Sequence, residues 1–300
     1  MAGQRLFIGL MLAPAFIILA LFYVYPTFQN LALSFTDLSL LGLKRGGAWV
    51  GLDNYREFVG SSEFGHLLFH TVLWLTALSV ALRLLLGLGI ALLLNSPLLR
   101  RWRLATVAKL AVLVPWATPP IVAVVVWRWM LEPQNGVVNA VLRRLGVVDD
   151  PVAFFADLRT VWPSIVTVIV WNTVPLVALS LLASLQSIPD ELNEAAALDG
   201  ASRWQQFRYV TLPFLKPTIV VLTLMSVFWT FNNFVYVWLA TGAGPGTFTN
   251  VLATEIYIKA FVDFRLGYSS AVGIVMALVM AVFGVVYYRL VAPGELEGRL

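Results

Sequence analysis

Long apolar stretches dominate this chain, and polar positions gather mainly between them. A helix needs about 20 apolar residues to cross the core of a bilayer, and six stretches reach that length. We therefore predict an all-α integral membrane fold with six transmembrane helices in a single domain, residues 1–300. The first stretch is expected to be retained rather than cleaved as a signal peptide. The predicted segments lie near residues 6–25, 67–94, 104–130, 160–185, 218–240 and 266–290.

A polar segment, residues 187–217, separates the fourth apolar stretch from the fifth. Ser187 and Asp190 have the spacing of a capping box, which predicts that a helix starts there. Gly200 is expected to end this helix, because glycine adopts positive φ most readily.

A second helix of this segment is predicted from Ser202, with Gln205 at the capping-box position, to about Leu212. Pro213 and Pro217 are expected to stop it. The resulting helix-turn-helix has more apolar surface than a solvated linker needs, so we expect it to dock against a partner. The apolar residues concerned are Ala195, Ala196, Leu198, Phe207, Val210 and Leu212.

This segment resembles the EAA loop of binding-protein-dependent ABC importer permeases. Glu194-Ala195-Ala196 is followed by Gly200 and then by Val210-Thr211-Leu212-Pro213, with valine where the family pattern has isoleucine. The resemblance implies the type I ABC importer permease fold, with this hairpin as a cytoplasmic coupling element seated in an ATP-hydrolysing subunit. An ordinary amphipathic hairpin is the alternative. The positions that the resemblance assigns to ATPase coupling are Glu194, Ala195, Ala196, Asp199, Gly200, Leu212 and Pro213.

Stretches between the apolar segments are similar to carbohydrate-uptake permeases of the maltose and glycerol-3-phosphate types. The similarity runs over nearly the whole chain and points to the first of two unlike permeases. It implies four kinds of partner: a second permease subunit, two cytoplasmic ATPase subunits, an extracytoplasmic solute-binding protein and a sugar substrate. A glycerol-3-phosphate-type substrate stays open. The stretches are LSFTD from Leu33, GLDNY from Gly51, WRW from Trp127, GVVN from Gly136 and the region from Gly244 to Tyr268.

Composition supports a membrane location without any resemblance. Hydrophobic residues make up 60% of the chain and charged residues 12%, against about 45–50% and 25% in soluble domains. The net charge of +4 comes without a basic cluster that would indicate nucleic acid. The lipid bilayer is therefore the expected surroundings.

Several chemistries lack their residues in this sequence. Without cysteine, the chain has no disulfide, thiolate metal site or cysteine nucleophile. It has no phosphate loop of the form G-x-x-x-x-G-K-S/T, so we expect ATP and magnesium to bind only to the partner ATPase subunits. We predict a non-catalytic subunit with no cofactor and no catalytic residue. Glu63, His66 and His70 could share a helix face, but they lack the pattern of a zinc hydrolase, and no metal site is predicted.

Basic residues indicate the orientation. Arg100, Arg101 and Arg103 crowd one short loop, which by the positive-inside rule favours cytoplasmic termini, although opposite loops also contain basic residues. The resemblance implies the same orientation, because the ATPase is cytoplasmic. Trp116 and Trp162 lie near predicted helix ends and are expected to be interfacial anchors.

Polar residues of the fifth stretch suggest where a sugar could bind. Ser226, Trp229, Thr230 and Asn233 recur at helical spacing and are expected to share one face. Hydroxyl and amide groups can bind sugar hydroxyls, while an aromatic ring suits the C–H face of a sugar. The run Phe231-Asn232-Asn233-Phe234 is similar to a run in the maltose-type permeases, in which substrate contacts lie on this helix.

Two residues of the fourth stretch complete the predicted substrate site by resemblance. Asn172 and Thr173 fall where the maltose-type permeases place pocket residues, whereas Leu176 replaces a tyrosine, which argues against maltose itself. All these polar groups could instead only tie helices together, which is a common role for them in membrane bundles.

Arg83 lies within the second apolar stretch, where a charge costs about 2.5–3.5 kcal/mol on insertion scales. It needs a partner, and the translocation path, a second permease or neighbouring polar groups could each provide one. The rival class is a self-sufficient secondary transporter or a membrane enzyme. An ion-coupled carrier is expected to have intramembrane carboxylates, and the central parts of the six stretches have none.

Overall fold

The computed structural model describes residues 2–96 and 105–291, with side chains from residue 7 onwards except at 105 and 290. Arg100, Arg101 and Arg103 and the start of the third predicted segment lie outside the described residues. Five described helices are long and apolar enough to cross a membrane, and a bent pair of helices makes a sixth. We number them spans 1 to 6: Phe7–Leu33, Ser62–Leu94, Thr106–Ala117 with Pro120–Met130, Val161–Gln186, Arg203–Phe231 and Leu266–Arg289.

Shorter helices join these spans, and π-helical turns interrupt several of them. Such turns widen the helix by one residue and often accompany functional sites in membrane and soluble proteins alike. The described part of the chain is otherwise free of regular strands and has two isolated β-bridges. The short helices are Leu40–Arg45, Asp53–Gly60, Val137–Arg144, Asp190–Leu198, Val235–Thr241 and Leu252–Tyr257, and the π turns are Ala20–Val24, His70–Leu78, Phe207–Thr211 and Ile258–Val262.

Span 3 is not the continuous helix that the sequence predicts. Its two halves meet at an angle of 96° around Thr118, Pro119 and Pro120. Neither proline has an N–H to donate, and the residue before a proline avoids helical conformation. Pro119 is accordingly extended, with φ −55° and ψ 139°.

Span 5 starts earlier than predicted, because Pro213 and Pro217 do not stop the helix. The chain stays helical through Arg203–Gln206, the π turn Phe207–Thr211 and Leu212–Phe231. Pro213 lies in the first turn of the last of these helices. The π turn before it changes the hydrogen-bond register, which accommodates a residue that has no N–H.

The opposite end of span 5 also differs from the prediction. The helix ends at Phe231, and a separate helix, Val235–Thr241, follows it. The predicted segment 218–240 is therefore broken at Asn232 and Asn233.

Two compact units divide the chain, and the first contains Met1–His66 and Glu255–Val279. The amide nitrogen of Asn54 donates to the carbonyls of Ser34 and Thr36, at 2.9 and 2.8 Å, and so joins the two sequence stretches that resemble carbohydrate permeases. Arg265 forms a bidentate pair with Glu57, with both N–O distances 2.6 Å. These contacts order the loops of this unit.

The second unit contains Leu67–Thr254 and Met280–Leu300, and span 4 runs through its core. A Cβ atom added to Gly87 of span 2 would lie 2.6 Å from Cγ1 of Val177 in span 4. Only glycine therefore allows these two helices to pack at this distance. The most buried side chains of the unit include Trp162, Ile165, Ile169, Leu181 and Leu215.

Candidate functional site

A cavity of about 210 Å³ lies among spans 2 to 5 in the second unit. The lining combines one cation, hydroxyl groups, two indole rings and aliphatic side chains. Such a mixture of apolar walls and a few polar groups is typical of small-molecule sites. The lining includes Arg83, Trp116, Thr173, Leu176, Ser226 and Trp229.

Arg83 is the charged group of this cavity, and only 3% of its surface is exposed. Its Nη2 atom donates to Oγ1 of Thr230 at 3.0 Å, and its buried Nε atom has no partner. Burying an unpartnered N–H of a charged group costs free energy.

Three of the predicted substrate residues line this cavity, namely Thr173, Ser226 and Trp229. Thr230 is buried and accepts the hydrogen bond from Arg83. The hydroxyl of Thr173 donates to the carbonyl of Ile169, one turn back in its own helix, at 2.6 Å. Its oxygen can still accept a hydrogen bond from a ligand.

Asn172 is placed differently, because its amide group is bonded to protein on every side. Its Nδ2 atom donates to the carbonyls of Pro115 and Thr118, at 2.6 and 3.0 Å, and its Oδ1 atom accepts from the hydroxyl of Tyr236. These bonds hold the bend of span 3 and the helix after span 5 against span 4. The contacts of Asn172 therefore fit the alternative given for the polar groups, which is that they only tie helices together.

Asn233 does not lie on the same helix face as Ser226 and Thr230, so that part of the prediction is wrong. It follows the end of the helix at Phe231, and its Oδ1 atom accepts from the backbone N–H of Tyr236 at 3.1 Å. Asparagine favours such turns because its side chain bonds nearby backbone groups.

Trp162 differs from its predicted role as an interfacial anchor, whereas Trp116, which is 51% exposed, lines the cavity next to the bend of span 3. Trp162 is buried in the core and stacks on His70, with ring centroids 5.2 Å apart. The prolines after Trp116 were the available signal that its surroundings depart from a regular helix. Among the described residues, no three His, Cys, Asp or Glu side chains are placed to hold a metal ion.

A second candidate site is the polar hairpin of residues 187–212, which joins span 4 to span 5 and includes the first residues of span 5; we call it the hairpin between spans 4 and 5. Its first helix, Asp190–Leu198, follows Pro189, and no side chain caps it. The predicted capping role of Ser187 is wrong, because Ser187 is the C-cap residue of span 4 and its hydroxyl donates to the carbonyl of Ser184.

The turn of the hairpin follows the prediction. Gly200 has φ +78°. Its N–H donates to the carbonyl of Ala197, and the N–H of Ala201 donates to that of Ala196, which together form a Schellman motif. Ser202 and Gln205 form the predicted capping box. The hairpin therefore has a defined, locally stabilised geometry.

The outer surface of the hairpin exposes large apolar side chains. Leu198 is 89% exposed, Trp204 69% and Tyr209 73%, and Glu194 is exposed on the first helix. Val210 instead packs against the hydrophobic core. Trp204 and Tyr209 are absent from the predicted surface, although an aromatic residue in a polar helix was a usable signal. Exposure of large apolar side chains on a polar segment indicates a protein-binding surface.

Comparisons with known proteins extend over most of the chain. A sequence model of the family described as "binding-protein-dependent transport system inner membrane component" matches residues 83–294. The sulfoquinovosyl glycerol transport system permease protein SmoG of Agrobacterium fabrum is 37% identical over 290 residues, which cover 96% of this chain and 91% of SmoG. The trehalose/maltose transport system permease protein MalF of Thermococcus litoralis is 34% identical over 284 residues, which cover 93% of this chain and 92% of MalF.

Solved structures share the fold. A bacterial ABC transporter involved in the import of the acidic polysaccharide alginate contains a chain with a TM-score of 0.80 and 24% identity. The match covers 97% of this chain and 96% of that one.

Proposed function

The chain belongs to the family of binding-protein-dependent transport system inner membrane components, and from this premise we propose that it is a permease subunit of an ABC importer for a sugar or oligosaccharide. The all-α, type I importer permease fold expected from the sequence is confirmed. The protein is a multi-pass component of the inner membrane. The observation that carries the proposal is the exposed hairpin between spans 4 and 5, with Glu194 and Gly200 at the positions of the coupling loop.

A sugar substrate is supported by two independent observations. The relatives SmoG and MalF are named for the transport of sulfoquinovosyl glycerol and of trehalose and maltose. The cavity of this chain presents the rings of Trp116 and Trp229 beside the hydroxyls of Thr173 and Ser226. Rings suit the C–H face of a sugar, and hydroxyls suit its hydroxyl groups.

Coupling to ATP hydrolysis takes place through the hairpin in this proposal. The chain has no phosphate loop, so its energy must come from a separate cytoplasmic ATPase subunit. Leu198, Trp204 and Tyr209 offer the apolar contact surface, and Gly200 fixes the turn that holds the two helices in register. Closure of two ATPase subunits would move the hairpin as a rigid body and rock the spans between inward-open and outward-open states.

The other partners follow from the same proposal. A second, unlike permease completes the translocation path, and both termini of this chain lie in the cytoplasm with the hairpin. A solute-binding protein delivers the sugar on the opposite side, to the loops at residues 30–66, 131–159 and 241–265.

Co-purification through a tag on this chain tests the proposal. The wild-type chain is expected to bring down an ATPase and a second permease, and substrate-loaded binding protein is expected to stimulate ATP hydrolysis. Glu194→Ala and Gly200→Pro are expected to lower the stimulated rate at least about tenfold, whereas Glu191→Ala, an exposed acid on the same helix, keeps it. A chain that purifies without an ATPase and alone moves solute would be a self-sufficient carrier.

A further inference from the structure

Arg83 carries a positive charge that the described protein does not neutralise. It lies inside span 2, is almost fully buried and lines the cavity. Residues 64–94 of span 2 contain no aspartate or glutamate, and neither do spans 3, 4 and 5. The described contact of its guanidinium is the neutral hydroxyl of Thr230.

Because no acid of the surrounding spans neutralises Arg83, its guanidinium is expected to bind an anion. A charge buried in a membrane bundle is offset by an opposite charge, by backbone carbonyls or by a water-filled cavity, and Arg83 lines a cavity without an acid on the parts of the spans around it. A guanidinium has five N–H donors in a planar fork, and here one donor reaches Thr230 while the buried Nε has no acceptor. This fork matches the oxygen atoms of a carboxylate, sulfonate or phosphate.

The rest of the cavity determines what kind of molecule can carry that anion. Trp116 and Trp229 supply ring surfaces, and Ser226 and Thr173 supply hydroxyls, in the same cavity as Arg83. The volume of about 210 Å³ is below the roughly 300–1,000 Å³ of pockets for drug-sized ligands, so it fits one ring with its substituent.

We infer that the substrate of this permease is an anionic sugar whose charged substituent binds to Arg83. The inference rests on the proposed function and narrows its substrate class. Arg83 selects for the negative charge, whereas the indole rings and hydroxyls bind the sugar ring.

The test measures binding by the whole complex, purified through this chain and held in lipid nanodiscs. Three probes share a glucose ring and differ in the group at C6. Methyl glucoside has a neutral hydroxymethyl group, methyl glucuronide has a carboxylate, and methyl 6-deoxy-6-sulfoglucoside has a sulfonate. Glycerol 3-phosphate serves as the phosphate probe. Quenching of tryptophan fluorescence is the readout, because Trp116 and Trp229 line the cavity.

Four proteins are compared: wild type, Arg83→Gln, Arg83→Lys and Lys109→Gln. Lys109 is the matched control, because it is also a cation within an apolar span but does not line the cavity. Wild type and Lys109→Gln are expected to bind at least one anionic probe about tenfold more tightly than the glucoside, the lower end for a hydrogen bond to a charged group. Arg83→Gln should abolish this preference, and Arg83→Lys should retain part of it.

Equal affinity of the wild type for glucoside and for every anionic probe overturns the inference. So does an anion preference that survives in Arg83→Gln, or a complex that retains its ATPase and binds no anion. If Arg83→Gln does not assemble, the salt dependence of binding to the wild type tests the inference instead. Added salt must then weaken binding of the anionic sugar and leave binding of the glucoside unchanged. The proposed function fails separately, by the absence of an ATPase from the purified protein.

Discussion

Arg83 of span 2 donates from Nη2 to Oγ1 of Thr230 in span 5, across 3.0 Å. This bond joins two helices that are distant in sequence, and it holds the guanidinium at the cavity wall. The hydroxyl of Thr230 orients the charge of Arg83, and the remaining N–H donors of the guanidinium stay available to a ligand.

Replacing Thr230 by valine keeps the shape of the side chain and removes the acceptor. We expect Thr230→Val to lower the stability of the purified complex by about 1–3 kcal/mol, because a buried N–H of a charged group loses its partner. Thermal unfolding followed by tryptophan fluorescence measures the change. Thr173→Val is the control, since the hydroxyl of Thr173 bonds only a carbonyl of its own helix among the described contacts. An equal loss in both variants would contradict the role given to Thr230.

Asn172 is expected to act on stability rather than on substrate recognition. Asn172→Leu leaves the carbonyls of Pro115 and Thr118 and the hydroxyl of Tyr236 without their partner. At about 1 kcal/mol for each of these three groups, the loss of stability should reach roughly 3 kcal/mol.

Ser226→Ala is the matched comparison for Asn172→Leu, because Ser226 lines the cavity. It should change stability by less than about 1 kcal/mol and weaken sugar binding. Thermal unfolding and fluorescence titration on both variants separate the two roles. If Asn172→Leu unfolds like the wild type but binds sugar poorly, Asn172 is a substrate contact after all.

Gly200 is expected to stabilise the hairpin through its backbone alone. A Cβ at this position meets no atom within 4 Å, but φ is +78°, so Gly200→Ala should cost about 1–2 kcal/mol. Faster hydrogen exchange in the helix Asp190–Leu198 would report this cost. Gly89→Ala is the control, because Gly89 lies in a regular helix with equal space for a Cβ, and alanine should be neutral or stabilising there. Unchanged exchange in Gly200→Ala would refute the prediction.

The pair of Glu57 and Arg265 should make the first unit sensitive to acid. The hydrogen bond from Arg265 is the main reason why the pKa of Glu57 lies below its ordinary value of 4.5. A folded pKa below the unfolded one gives a stabilisation that is complete above about pH 4.5 and is lost as pH falls through the folded pKa. Both side chains are about half exposed, so the effect should be small, about 0.2–1 kcal/mol.

Thermal unfolding at pH 7 and pH 4 measures this effect. Glu57→Gln should lose less stability on acidification than the wild type does. Asp53→Asn, which removes the more exposed pair with Arg56, should behave like the wild type. Identical acid sensitivity of the wild type and Glu57→Gln would show that the pair contributes nothing.

The sequence predicted those features that depend on local chemistry. The apolar stretches indicated the spans, because length and composition alone decide whether a helix can cross a bilayer. The positive φ of Gly200 and the capping box of Ser202 and Gln205 also followed from neighbouring residues.

Features that depend on tertiary contacts or on competing local rules were missed. Pro213 appeared to stop a helix, but the π turn before it accommodates the missing donor. The bend at Pro119 and Pro120 was hidden by an unbroken apolar run, although the proline pair was visible. Asn172 appeared free to bind a sugar because its partners lie more than 50 residues away in the chain.

We propose that this chain couples sugar import to ATP hydrolysis through the hairpin between spans 4 and 5. Accumulation of labelled sugar in proteoliposomes that contain the purified complex, with loaded binding protein on one side and ATP on the other, tests it most directly. We expect accumulation that requires both ATP and binding protein, is lost in Glu194→Ala and is retained in Glu191→Ala. Accumulation that proceeds without ATP, or that is unchanged in Glu194→Ala, would contradict it.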